Sequence, residues 1–379
     1  MLYFAVLNLN EMLRIMNARV FYGTIGFLVL LFIPYGRLNA QSDFEKKRWR
    51  DVANSMPAVW YGGEQSRKVA NQLIVRQMDC GGWQKNINYH RLLTKKELAG
   101  VRRVGPGATI DNSSTTTEMI FLAKMYGGCK DERYKESFVK ALRYLFESQY
   151  ENGGWPQFYP PRAQGHYSSH ITYNDDAMVN VLKLLCAVAE NRSPFAQLHL
   201  SDSLRKQAGD AFDRGIDCIL KTQIKVNGEP TVWCAQHDEH TLAPAAARAY
   251  ELVSFSGSES ADLVLLLMSL PNPSAQVKAA VKGAVKWFEN HKVENLGIKR
   301  IKAGTPQRDV QVVTQEGAVL WARFYDLNTG KPFFCDRDGV KRTSLAEVGQ
   351  ERRGGYSWYT DRPQKVLDAY PQWAKINGL

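Results

Sequence analysis

Apolar residues recur along most of this chain with the period of an amphipathic helix. Phe138, Leu142, Leu145 and Phe146 share one face of a predicted helix, and a polar turn follows directly. That turn is the chain's repeated feature. Gln77-Met78-Asp79-Cys80-Gly81-Gly82-Trp83-Gln84 recurs as Gln149-Tyr150-Glu151-Asn152-Gly153-Gly154-Trp155-Pro156, and a degenerate copy runs from Gln223 through Asn227-Gly228 to Trp233. The three Gln positions are 72 and 74 residues apart, a spacing that marks a repeated supersecondary unit. After each turn a loop leads to a second predicted helix, over 115–126, 177–189 and 244–252. Pro244 suits the first turn of the last of these, which would carry Arg248 and Glu251. Two helices per unit and three units predict an all-α fold of helical hairpins closing into a toroid, with the Gly-Gly-Trp turns at one end. Strand signals are few: short runs near Phe158 and over 310–313 predict only small β-hairpins in the loops.

The first 40 residues read differently. Arg14 and Arg19 precede an apolar run from Phe21 to Ile33, and Leu38-Asn39-Ala40 offers a small residue at a cleavage position. This is the pattern of a secretory signal, and the run is short for a bilayer span. The long stretch before it allows translation to start at Met12 or Met16, and no Cys follows Ala40 to carry a lipid. Residues 41–379 show no linker and are expected to form one domain, secreted or periplasmic, without a membrane anchor and monomeric.

The formal charge is +11, about +9 of it outside the leader. A basic, exported, aromatic-rich protein points to an anionic partner. No long Lys/Arg run or nucleic-acid motif is present, so an acidic polysaccharide fits better than nucleic acid. Six Cys at 80, 129, 186, 218, 234 and 335 stand singly, without the paired spacing of a zinc framework. They permit 15 pairings among which nothing in the sequence chooses.

Candidate chemistry gathers at the helix starts. Asp111-Asn112 and Asn174-Asp175-Asp176 can serve as N-caps, but they carry more oxygen than capping needs. Asp111 and Asp175 are 64 residues apart, which predicts that both project to the same end of the fold. Clustered Asp and Asn oxygens suit calcium, which takes about six to eight oxygen ligands. His237-Asp238-Glu239-His240 is a weaker zinc-like signal. Arg248 either pairs locally with Glu251 or faces the site. Arg337, in Asp336-Arg337-Asp338-Gly339, either braces a turn or grips a substrate carboxylate. Trp83, Trp155, Trp233 and the group Tyr356-Trp358-Tyr359 either pack or stack on sugar rings.

Several segments together resemble the pectate lyases of polysaccharide lyase family 10. They are Gly82-Trp83-Gln84-Lys85-Asn86, Thr109-Ile110-Asp111-Asn112, Asn152-Gly153-Gly154-Trp155-Pro156-Gln157 and Asn174-Asp175-Asp176-Ala177-Met178. They continue with Trp233-Cys234-Ala235-Gln236-His237-Asp238, Ala243-Pro244 through Arg248-Ala249-Tyr250-Glu251, Trp321-Ala322-Arg323-Phe324-Tyr325, and Cys335-Asp336-Arg337-Asp338-Gly339. The resemblance implies an (α/α)3 toroid that cleaves polygalacturonate by β-elimination with calcium. It implies Arg248 as the base, Asp111 and Asp175 at the metal, and Arg337, Asn112, Lys85 and Trp155 in substrate binding. His240 and Glu239 depart from the family pattern.

Arg is a surprising base, and surrounding cations are expected to ease its neutral form. Two other readings stay open: a hydrolase using Asp111 and Asp175 as its carboxyl pair, and a pectin-binding protein without activity. Gln-x3-Gly-x-Trp turns are also similar to those of terpenoid cyclases, whose Asp-rich motifs Asp175-Asp176 match poorly.

Overall fold

The structure is a computed structural model that describes residues 43–163 and 165–379. The predicted signal segment over 1–40 lies outside the described residues. Trp49–Leu379 forms one compact unit. Among the described residues, no helix is long and apolar enough to cross a membrane.

Eight helices of ten or more residues are described. They are α1 (Glu64–Val75), α2 (Thr116–Cys129), α3 (Glu132–Glu147), α4 (Ala177–Ala189), α5 (Asp202–Thr222), α6 (Glu259–Met268), α7 (Ala275–Asn290) and α8 (Arg362–Ile376). Odd and even members differ in kind. In α3, α5 and α7 one apolar face is buried and the other is polar, and capping side chains Asp131, Ser201 and Ser274 satisfy their first turns. Helices α2, α4 and α6 are buried nearly all round, as helices enclosed by other helices must be. Successive pairs pack as hairpins, with α2 on α3 and α4 on α5, while α4 touches both α2 and α6.

The repeated turn works as a clamp, and the sequence pattern shows why its residues recur. Gln77 Nε2 donates to Gly81 O at 2.7 Å and to Ser137 O, on α3, at 2.9 Å. Gln149 does the same to Gly153 O and Ala211 O, and Gln223 to Thr231 O and Ala280 O. Each side-chain amide thus ties its own turn to the next outer helix. The indoles of Trp83, Trp155 and Trp233 are fully buried and donate to Leu73 O, Leu145 O and Ile219 O.

Gly153 has φ +91°, and a Cβ there would lie 2.0 Å from Arg214 O. Gly153→Ala is therefore expected to cost about 2–4 kcal/mol, from left-handed strain plus a backbone clash, read from the midpoint of urea unfolding.

Two expectations are corrected. Residues 244–252 are not helical. Ala245 N donates to Gln236 O and Pro244 bridges His237, so the backbone bonds run across to a neighbouring segment. The inner helix of the third unit is α6 instead, and tertiary pairing has overridden the Ala-rich propensity. The strands are also longer than expected. β1 (Val293–Ile301) and β2 (Asp309–Ala322) form an antiparallel arm whose register runs from Val293↔Leu320 to Ile301↔Asp309, and Tyr359–Thr360 adds to β2.

The arm sits where a fourth Gly-Gly turn would be. At its end Trp321, fully buried, donates to Phe288 O of α7 at 2.9 Å, and α8 packs against α6 and α7. This partial fourth unit escapes the sequence count because a β-arm replaces the Gly-Gly turn.

All six cysteines are free thiols.

Candidate active site

Two short turns at the starts of α2 and α4 pack against each other. In the first, Asp111–Ser113, Asn112 has φ 52° and ψ 33°; in the second, Asn174–Asp176, Asp175 has the same pair of angles. Asp175 is therefore the counterpart of Asn112, one residue off the Asp111 equivalence that the spacing predicted. Asn and Asp tolerate this left-handed conformation better than most residues. The helices that follow start from Thr115 and Asp176, and neither of those side chains makes a capping hydrogen bond.

The two predicted metal carboxylates differ sharply. The Asp111 side chain is 3% exposed and forms an ion pair with Lys85 Nζ. Gln157 Nε2 also donates to its Oδ2 at 2.9 Å, and Asn112 N donates to its Oδ1 at 3.0 Å. Asp111 thus accepts from three protein donors and anchors Lys85 beside the turn. Asp175 is 40% exposed. Its Oδ1 accepts from Arg323 Nη2 at 3.2 Å and its Oδ2 from Asn174 Nδ2 at 3.0 Å. Asp176 pairs instead with Arg362, and its pKa is raised to about 6 by burial and the neighbouring Asp262. Asp175 therefore offers the more open carboxylate of the two.

Arg323 was not singled out from the sequence, yet it organises this region. Fully enclosed, it pairs with Glu259, donates to Asn174 Oδ1 at 3.0 Å, and places its Cζ 4.6 Å over the Tyr356 ring. Burial opposes its charge, but Glu259, Tyr356 and Asp175 outweigh that and keep it protonated. Glu259 belongs to the first turn of α6 and Asp175 to the turn before α4, so one guanidinium joins two inner helices.

Arg248 also approaches Tyr356, with its Cζ 6.0 Å from the ring centroid. It sits in a tight turn in which Glu251 N donates to Arg248 O at 2.7 Å and Ala247 N to Glu251 O at 2.9 Å. This brings the Glu251 carboxylate onto the guanidinium, which donates Nε to Oε2 at 2.7 Å and Nη2 to Oε1. The Tyr356 hydroxyl donates to the same Oε1 at 2.8 Å. The Arg248 side chain remains 41% exposed.

Tyr250 gathers three guanidinium groups, with Cζ of Arg352 at 4.5 Å, Arg248 at 4.9 Å and Arg337 at 5.9 Å from its ring centroid. Arg337 is exposed and pairs with Glu351 at 3.2 Å. The predicted Arg248 and Arg337 thus meet on one aromatic ring, and Tyr356 links them through Arg323 to Asp175. The sequence assigns no role to Tyr250, Arg323 and Arg352, and to Tyr356 only packing or sugar stacking, because each lies in an aromatic or Arg-bearing run that reads as ordinary packing.

The cation crowd does not ease the neutral form of Arg248 as expected. Burial alone would lower its pKa, but the hydrogen bonds and charge of Glu251 dominate and raise it above the usual guanidinium value. A paired carboxylate at contact outweighs cations one ring away.

Other predicted residues fall outside the cluster. Trp155 is fully buried and bonds Leu145 O, so it offers no face to a sugar as expected of it, while Trp83, Trp233 and Trp358 take the packing alternative left open for them. His237 is no metal ligand: it is fully buried between Cys234 N and Leu242 O, and burial pushes its pKa down to about 4. Among the described residues, the three side chains spaced to hold a metal as a group are His170, Asp238 and Glu239, which include neither Asp111 nor Asp175.

A model of the pectic acid lyase family matches residues 77–367. The chain belongs to this family. It is a pectate lyase enzyme, similar in structure to a family 10 polysaccharide lyase from Cellvibrio cellulosa. That likeness has a TM-score of 0.72 at 36% identity over 86% of this chain and 95% of that one. It is also similar to a mutant of a family 10 polysaccharide lyase from the same organism, in complex with trigalacturonic acid. There the TM-score is 0.74 at 35% identity, over 87% of this chain and 96% of that one. No curated protein matches the chain. In this pectate lyase, then, Tyr250 and the three guanidiniums around it all lie within the matched segment.

Proposed function

We propose that this pectate lyase is a calcium-dependent enzyme that cleaves α-1,4-linked polygalacturonate by β-elimination, leaving a 4,5-unsaturated end, with Arg248 as the base. The observation that carries the reading is the half-exposed Arg248 beside Arg337 on Tyr250, joined through Tyr356 and Arg323 to the open carboxylate of Asp175. The complex of the related Cellvibrio lyase with trigalacturonic acid supports the substrate class. We further read the hairpins as an (α/α)3 ring, and the enzyme as exported and monomeric.

In galacturonate the C5 hydrogen is α to a carboxylate, so its removal places charge on the carboxylate oxygens. Arg248, once neutral, takes that proton. The C5–H electron pair forms the C4=C5 bond as the C4–O bond breaks, and the leaving oxygen gains a proton. Arg337, 64% exposed, suits a bidentate grip on a neighbouring sugar carboxylate. Lys85, anchored by Asp111, offers a second cation to the chain.

Asp111 and Asp175, with Asn112 beside them in the matched turns, would supply oxygens to a hard cation, with a substrate carboxylate as a further ligand. Calcium bound there would stabilise the charge that develops on that carboxylate.

Incubation with polygalacturonate in calcium, read as new ultraviolet absorbance, is expected to show unsaturated product. A chelator is expected to abolish the signal and added calcium to restore it. Reducing ends without absorbance would instead mean a hydrolase, and binding without cleavage a non-catalytic module.

A further inference from the structure

The Arg248 guanidinium is not left to find its own orientation. Glu251 accepts from Arg248 Nε and Nη2 as a two-pronged partner and also from its backbone N, at 3.3 Å. The Glu251 side chain is itself only 7% exposed. Tyr356 OH also donates to Oε1, and the Tyr356 ring is in turn stacked under Arg323. Orientation therefore passes from the buried Arg323, through Tyr356 and Glu251, to the half-exposed tip of Arg248.

We infer that Glu251 is a positioning residue for the base: its carboxylate, braced by the Tyr356 hydroxyl, sets the angle at which the Arg248 guanidinium meets the bound sugar. This rests on Arg248 being the base. A planar, five-donor group on a long stem gains most from such a fixed partner, because little rotamer freedom is then lost when substrate arrives.

The arrangement has a cost that makes it testable. Before Arg248 can accept the C5 proton it must release one to solvent, and a carboxylate in contact makes that release harder. The groups facing Arg248 are Glu251, Tyr250 and Tyr356, with the guanidiniums of Arg337 and Arg352 across the Tyr250 ring and Arg323 across Tyr356. Glu251 is the anion in contact with it. The contribution of Glu251 is therefore aim, gained against basicity, and the two effects move different observables.

In Glu251→Gln, which keeps the shape and one acceptor, maximal kcat is expected to fall by about 10²-fold through lost alignment while KM stays within about twofold. The pH of half-maximal kcat is expected to move down by about one unit or more, because the anion is gone. Tyr356→Phe is expected to lower kcat at unchanged KM and leave the pH of half-maximal rate in place, since Glu251 keeps its charge and loses only its brace. Glu251→Gln with an unshifted pH profile, or with its loss confined to KM, would overturn the inference. Should that variant fail to fold by circular dichroism, Tyr356→Phe decides alone, and an unchanged kcat overturns it. Activity retained in Arg248→Ala would remove the base assignment itself, and with it the positioning role. That outcome is separate from any behaviour of the Glu251 variant.

Discussion

Arg248→Ala is expected to lower kcat for release of unsaturated product by about 10³-fold or more, with the fold unchanged. The expected size follows from the two things lost together, a proton acceptor and its alignment. The substitution leaves structure intact because Arg248 is half-exposed and sits in a turn closed by backbone bonds between Arg248, Ala247 and Glu251. Glu251, 7% exposed, loses its guanidinium but keeps the backbone N–H of residue 248 and the Tyr356 hydroxyl, so a lower melting midpoint is expected while the fold is retained. The check is continuous ultraviolet absorbance on polygalacturonate beside circular dichroism and a melting curve. A variant that folds and retains turnover would move the base to another residue.

Arg323→Met is expected to act on stability rather than on a single step. Arg323 is enclosed against Glu259, Asn174 and Asp175, and Glu259 is 1% exposed. Removing the cation strands a buried carboxylate, which typically costs about 3–5 kcal/mol. Ser256 Oγ also donates to Glu259, so part of the anion's demand is still met. The loss should appear as a lower midpoint in urea unfolding, well beyond what a surface Arg substitution gives. The double variant Arg323→Met with Glu259→Gln should recover part of it, because the stranded charge is then gone. Failure of the second change to recover any stability would mean that stacking of the Arg323 guanidinium on Tyr356, and not the buried charge of Glu259, dominates.

The partners of the site explain why some of its residues were readable and others were not. The Gln-Gly-Gly-Trp clamp was legible because it is local. Gln149 reaches its own Gly153 and Trp155 reaches Leu145, and the longer contacts, Gln149 to Ala211 O and Gly153 against Arg214 O, fall within one repeat of the pattern. Asn112 and Asp175 were legible for a similar reason, since a left-handed turn before a helix restricts residue type. Arg323 and Tyr356 are not local in this sense. Arg323 meets Asn174 across 149 positions and Tyr356 meets Glu251 across 105, and no periodicity reports such pairings.

The sequence by itself determined the paired helices, the repeat that joins them, the family resemblance and the idea of an Arg facing acidic sugar. Those depend on short-range chemistry: helical period, glycine conformation and residue type at a turn. Only the tertiary structure decided that residues 244–252 stay unwound, because their backbone pairs with Gln236 and His237 before a helix can close on itself. It also decided that Trp155 is core, that Asp111 anchors Lys85 and Gln157, and that Arg248 carries a carboxylate on its guanidinium. Each of these turns on which distant group arrives first at a hydrogen-bonding atom, and that competition is resolved only when the chain has folded.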